Sequence, residues 1–142
     1  MAIADTVKQD LTAAMKAGEK DRVGALRLVL SELQKAAKEG SDDELAVLRR
    51  ERKRRLESAR AFRDADRAEL AVGEEAEAEL IALYLPAELS DDELRAIVSA
   101  AVAESGASSP RDMGAVMKAA MPKIAGRADG KRVSALVTEA LA

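Results

Sequence analysis

The sequence predicts an all-α protein, and three observations carry that prediction. Apolar residues recur at spacings of three and four along nearly the whole chain of 142 residues, the period of a half-buried helix, and strict alternation is absent. Helix-start signatures, a serine or aspartate followed three residues later by an acid, precede several of these runs. Glycine or proline then closes them. The hydrophobic content is 48%, yet Phe62 and Tyr84 are the only aromatics, so the core must be built from Leu, Val, Ile, Met and Ala packed between helices.

In order, Ile3, Val7, Leu11 and Ala14 predict a short helix near residues 4 to 17 that stops at Gly18. Val23, Leu26, Val29, Leu30, Leu33 and Ala37 predict a second, closed by Gly40; the short connection makes the two an antiparallel hairpin. Ser41-Asp42-Asp43-Glu44 reads as a capping box with serine at the N-cap. Leu45, Leu48, Leu56, Ala59 and Phe62 then give one face of a third helix, interrupted by Arg49-Arg50-Glu51-Arg52-Lys53-Arg54-Arg55. Six basic residues in seven invite a nucleic-acid reading. A helix, however, distributes seven consecutive residues around its axis, and Glu51 to Arg55 and Lys53 to Glu57 are pair spacings, so the run also reads as a solvated face. Leu70, Ala76, Leu80, Leu83 and Tyr84 predict a fourth helix whose other faces carry Glu69, Glu74, Glu75, Glu77 and Glu79, suited to pairing with the basic helix before it. These carboxylates read as a solvated acidic face and not as a metal site.

Pro86 ends this helix and marks a domain boundary, with Tyr84 as a packing residue where two units meet, its hydroxyl wet or bonded to backbone. The expected organisation is residues 1–86 as an N-terminal helical hairpin or bundle of about four helices, and residues 87–142 as a three-helix C-terminal domain. Ser90-Asp91-Asp92-Glu93 is a second capping box, stapled by Leu89 and Leu94. Leu94, Ile97, Val98, Ala101 and Val102 continue that helix to Gly106. Ser109-Pro110-Arg111-Asp112 opens the next, whose inner face is Met113, Val116, Met117 and Ala120 and which Pro122 ends or kinks. Val133, Leu136, Val137, Ala140 and Leu141 form the last.

Function is read from the corner between the last two helices. Gly126 and Gly130 suit a tight connection because glycine takes positive φ cheaply, and Asp129 can cap the helix that follows. Lys118, Lys123, Arg127, Lys131 and Arg132 surround this elbow, within reach of a helix N-terminus, and make a candidate anion site. Residues 105–142 hold six basic against three acidic residues, although the whole chain has a net charge of −3. Histidine and cysteine are absent, which removes imidazole acid–base chemistry, thiol nucleophiles, disulfides and the usual zinc sites. No serine has a histidine to activate it or a Ser-x-x-Lys spacing, so no catalytic residue, metal or cofactor is expected. Asp5, Lys8 and Asp10 interrupt the N-terminal region, which does not read as a signal peptide, and no apolar run is long enough to span a bilayer; a cytoplasmic protein without a membrane partner is the expectation.

Tyr84-Leu85-Pro86, Leu89-Ser90, Asp112-Met113-Gly114 with Val116-Met117, Met121-Pro122-Lys123 and Gly126-Arg127-Ala128-Asp129-Gly130-Lys131 together resemble the GatB/YqeY family, and specifically its stand-alone YqeY-like members. The resemblance runs over nearly the whole chain, with its specific part at the C-terminus. It implies a helical N-terminal unit and a C-terminal unit similar to the tail of the GatB subunit of the glutamine-dependent tRNA amidotransferase, a tail that helps hold tRNA. The positions matching that motif are Gly114, Met117, Lys118, Gly126, Arg127, Ala128 and Lys131, of which the basic ones are suited to touch RNA. The amidotransferase's catalytic domain has no counterpart here, and the glycine elbow lacks the spacing and preceding strand of a phosphate loop. The expected function is therefore an accessory protein that binds tRNA or another structured RNA through the elbow. An adaptor docking on an amidotransferase or aminoacyl-tRNA synthetase is the alternative, and a carbon–nitrogen ligase using glutamine as amide donor is a more distant one.

Overall fold

The structure is a computed structural model that describes residues 2–41 and 43–142. These residues form α-helices and their connections and contain no strand. Their Cα positions fall into two compact units that divide between Pro86 and Ala87.

The first unit contains α1 (Ile3–Ala17), α2 (Lys20–Lys38), α3 (Glu44–Asp64) and α4 (Ala68–Ala82). Helices α1 and α2 pack as a pair, α3 and α4 make the most extensive helix pair, and α2 touches both of the latter. The turn from α1 to α2 is short because Gly18 adopts the left-handed conformation, φ 71°, and lets Glu19 N–H donate back to the Ala14 carbonyl at 3.1 Å. The core joins Val7, Ala14, Leu26, Val29, Leu33 and Ala36 to Val47, Leu48, Leu80 and Ile81. Leu26 and Leu48 are fully enclosed, each worth about 1.5–3 kcal/mol by transfer from water.

Three details of this unit differ from the sequence reading. First, Ser41 does not cap α3. Asp43 is the N-cap and its carboxylate accepts from Ala46 N–H at 3.1 Å; Asp42 lies outside the described residues. Glu44, expected to close the box, instead reaches the start of α1. Its Oε1 accepts from Ile3 N–H and its Oε2 from Ala4 N–H, both at 2.8 Å. Ala2, at the N-cap of α1, supplies no side-chain acceptor, so a carboxylate from some 40 residues away satisfies two of the free donors that every helix start leaves. Second, α4 buries Ala71, Ala78, Leu80 and Ile81, while Leu70, Ala76 and Leu83 are exposed. Alanines let two helices approach closely, so the inner face of α4 runs through Ala71 and Ala78 to Leu80, as expected, and Ile81, while Leu70 lies outside it. Third, Tyr84 packs against the core of its own unit, and its hydroxyl donates to the Asp10 carboxylate, neither free in solvent nor bonded to backbone. Burial first, and then the neighbouring Asp10, push the phenol pKa well above its ordinary value.

The charges between α3 and α4 pair as expected. Arg55 meets Glu74 at 3.4 Å and Glu77 at 3.2 Å across the helix pair, and Glu51 at 3.7 Å along its own helix. Arg63 Nε donates to Glu75 at 2.7 Å. Glu51, 5% exposed, is held by Arg54 at 2.7 Å, whereas Lys53 and Glu57 do not pair.

The second unit contains α5 (Asp91–Ser105), a 3-10 turn at Pro110–Asp112 that runs into α6 (Met113–Ile124), and α7 (Gly130–Leu141). Each helix packs against the other two. Leu94, Val98, Ala101, Val116, Ala120, Ile124, Val133 and Val137 form the centre of the core, with Leu89 and Ala128 closing its end. The Ser90 capping box is present in full: Glu93 N–H donates to Ser90 Oγ and Ser90 N–H to Glu93 Oε1, both at 3.1 Å. At the next start, Asp112 Oδ2 accepts from Ser108 N–H at 2.9 Å and Ser109 N–H at 3.2 Å. Pro122 lies within α6 and does not end it; the helix continues to Ile124, whose side chain is fully buried. Pro122 lies two residues before the end of α6, where it forgoes one backbone donor, and burial of Ile124, worth about 1.5–3 kcal/mol, offsets part of that cost.

Candidate basic corner between α6 and α7

The corner turns on two successive left-handed residues, Ala125 with φ 50° and Gly126 with φ 75°. Ala125 N–H still donates to Met121 at 3.0 Å, and Arg127 N–H to Ile124 at 3.0 Å, so the chain reverses within one turn. Ala128 then tucks into the core and Asp129 becomes the N-cap of α7, its carboxylate accepting from Lys131 N–H at 3.3 Å. Gly130 is the first residue of α7 and has no positive φ; the residue that shares the left-handed turn with Gly126 is Ala125, which the sequence reading passed over. Gly114 sits in the first turn of α6 with open space where a Cβ would project, as does Gly130.

The five basic candidates fall into two groups. Arg132 donates through Nη2 to the Leu89 carbonyl at 2.8 Å and to Asp91 at 2.7 Å. That neighbour, through its hydrogen bond and then its charge, holds the Asp91 carboxyl below its ordinary range. Lys123 pairs with Glu104 of α5 at 2.7 Å. These two cations are therefore already matched with acids. Arg127 donates from Nε to the Ala87 carbonyl at 2.8 Å and makes no close ion pair with a described residue, although, after the hydrogen bonds from Ser90, its charge helps to hold the Glu93 carboxyl below its ordinary range. Lys118 and Lys131 are exposed and make no side-chain hydrogen bond or ion pair with another described residue.

These contacts also explain how the unit is closed. Leu89 N–H donates to the Arg127 carbonyl at 2.8 Å, so the segment leading into α5 is fixed to the corner at Ala87, Leu89 and Asp91. The partners lie 40 to 43 residues apart, and no local motif announces them. The acids of α5 also alter the charge balance: residues 87–142 as a whole carry seven basic and eight acidic side chains.

Among the described residues no three Asp or Glu side chains are placed to hold a metal ion, and no helix is long and apolar enough to cross a membrane. A family model described as Yqey-like protein matches residues 4–141. The chain belongs to the YqeY-like family. The match covers both units of this YqeY-like protein, including α3 and the whole α6–α7 corner. No curated protein matches the chain significantly.

Proposed function

We propose that this YqeY-like protein is a non-catalytic accessory module that binds structured RNA, tRNA first, through the α6–α7 corner. The observation that carries the reading is a pair of exposed cations with no partner among the described residues, Lys118 on α6 and Lys131 in the first turn of α7, beside Arg127, which a carbonyl braces and whose charge acts on Glu93. Cations of this kind contact phosphates and position RNA without reading its sequence. The first N–H groups of α7 add a weak positive potential beside them. The resemblance to the GatB tail selects tRNA among structured RNAs.

The test is a tRNA anisotropy titration at about 50 and 200 mM salt, in which each lost phosphate contact lowers the salt slope by about 0.9. Changing Lys118→Ala and Lys131→Ala together is expected to weaken binding and flatten the slope by about 2, whereas Lys123→Ala, whose charge is matched by Glu104, changes both little. Equal tRNA affinity and slope in wild type and the double variant would overturn the assignment. The competing reading, a helical adaptor for an amidotransferase or synthetase, draws on exposed Leu83 and Val72, 70% and 58% accessible, and predicts partner binding that salt barely affects.

A further inference from the structure

Helix α3 carries a second set of cations that the corner reading does not use. Arg50, Lys53 and Arg60 are exposed, Arg49 is half-buried, and none of the four forms an ion pair with another described residue. At 3.6 residues per turn they fall, with Arg54, within about 140° of the helix circumference. The row from Arg49 to Arg60 is about 16 Å long at 1.5 Å per residue. Arg55 and Arg63 point elsewhere, toward the acids of α4, and Arg54 at the edge of the sector is held by Glu51, which leaves Arg49, Arg50, Lys53 and Arg60 as the outer cations without a described ion-pair partner. Between Arg49 and Arg60 the outer sector contains a single acid, Glu57.

We infer that this outer face of α3 binds the phosphate backbone of a nucleic-acid double helix. The occupant follows from what the face offers and what it lacks. Four uncompensated cations along a rigid rod match a polyanion with regularly repeated charge. No aromatic side chain stands in the row to stack an unpaired base, which disfavours single strands. One large aliphatic side chain, Leu56, 40% exposed, borders the row between Lys53 and Arg60, and the sector itself otherwise holds alanine or polar residues; a single leucine gives little anchor for a bilayer or for a hydrophobic groove on a protein. Arginine and lysine reaching phosphates alone would bind without sequence preference. This assignment is independent of the α6–α7 corner, since a different helix in the other unit carries it.

The experiment uses the full chain with Lys118→Ala and Lys131→Ala already in place, so that the corner contributes little. A fluorescent duplex RNA and a duplex DNA of the same sequence are titrated at about 50 and 200 mM salt. Four phosphate contacts give a slope near −3.6, hence about a 150-fold loss of affinity across that range. Adding Arg50→Gln, Lys53→Gln and Arg60→Gln is expected to reduce the slope by about 2.7 and to weaken binding at low salt by more than about tenfold. Glutamine keeps helix propensity, and circular dichroism checks that the helices remain. Arg50→Lys with Arg60→Lys retains the charge and is expected to retain binding. The RNA and DNA arms tell which duplex supplies the phosphates, and either one, if lost in the glutamine variant, sustains the proposal. Duplex binding unchanged by the three glutamines, or tighter binding to phosphatidylserine vesicles than to both duplexes, would overturn it. Because the corner and the α3 row are removed by different substitutions, failure of one leaves the other readable.

Discussion

Replacing Glu44 should destabilise a helix to which it does not belong. Its two carboxylate oxygens accept from Ile3 and Ala4 N–H at 2.8 Å each, in a partly buried setting, and Ala2 provides no substitute acceptor. Losing an N-cap acceptor typically costs about 0.5–2 kcal/mol. Hydrogen bonds to a charged group are worth about 1.5–3 kcal/mol each, but water can replace part of this when the donors become accessible. The carboxylate also faces the positive end of the α1 dipole, worth about 0.3–1 kcal/mol. Together these place Glu44→Ala at about 2 kcal/mol less stable by urea denaturation. Glu44→Gln keeps one oxygen acceptor but no charge and should lose about half of that. Amide hydrogen exchange supplies the specific readout: Ile3 and Ala4 N–H should lose protection in the alanine variant while the centre of α2 keeps it. A loss below about 0.5 kcal/mol, or unchanged exchange at Ile3 and Ala4, would refute the reasoning, because ordinary surface substitutions fall in that range.

Two further predictions concern the second unit. Ala125→Gly should stabilise it by about 0.5–1 kcal/mol: the left-handed conformation with φ 50° costs alanine about 1–2 kcal/mol, and the greater freedom of glycine in the unfolded chain returns part of that, so a lower urea midpoint would contradict the assigned corner geometry. The pH dependence follows from two depressed carboxyls, Asp91 through its hydrogen bond to Arg132 and Glu93 through the backbone N–H of Ser90. Their folded pKa values lie below the unfolded ones of 3.8 and 4.5, so the unfolded chain takes up protons first. The stabilisation is complete above the unfolded values and is lost as pH falls through the folded ones. Urea midpoints across the acid range should therefore fall less steeply for Asp91→Asn with Glu93→Gln than for wild type, and parallel curves would count against both assignments.

What could be read from the sequence was whatever closes locally. The Ser90 box needs only a partner three residues away, and Asp129 needs only the next turn, so both were visible in the residues themselves. Glu44 showed the same local signature, yet its carboxylate spans 40 residues to α1, and a motif rule has no access to that alternative partner. In α4 Leu80 was placed correctly, but Leu70 and Leu83 misdirected the rest of the reading, because Ala71 and Ala78 complete the inner face and alanine contributes little to a hydrophobic pattern. At the corner, the cluster of basic residues was legible as composition. Its division into matched and unmatched cations was not, since Glu104, Asp91 and the Leu89 carbonyl come from elsewhere in the chain.

The Tyr84 hydroxyl bonded to Asp10 gives the molecule a built-in optical label. Tyrosine emission is quenched when the phenol donates to a carboxylate, and the chain has one tyrosine and no tryptophan. Residues 87–142 contain no aromatic side chain at all, so the ultraviolet signal belongs entirely to the first unit. Melting that unit separates phenol from carboxylate and should brighten the emission, while far-ultraviolet dichroism sums helices from both. Recorded together on the unmodified protein, the two signals show directly whether the halves of the chain melt in one transition or in two.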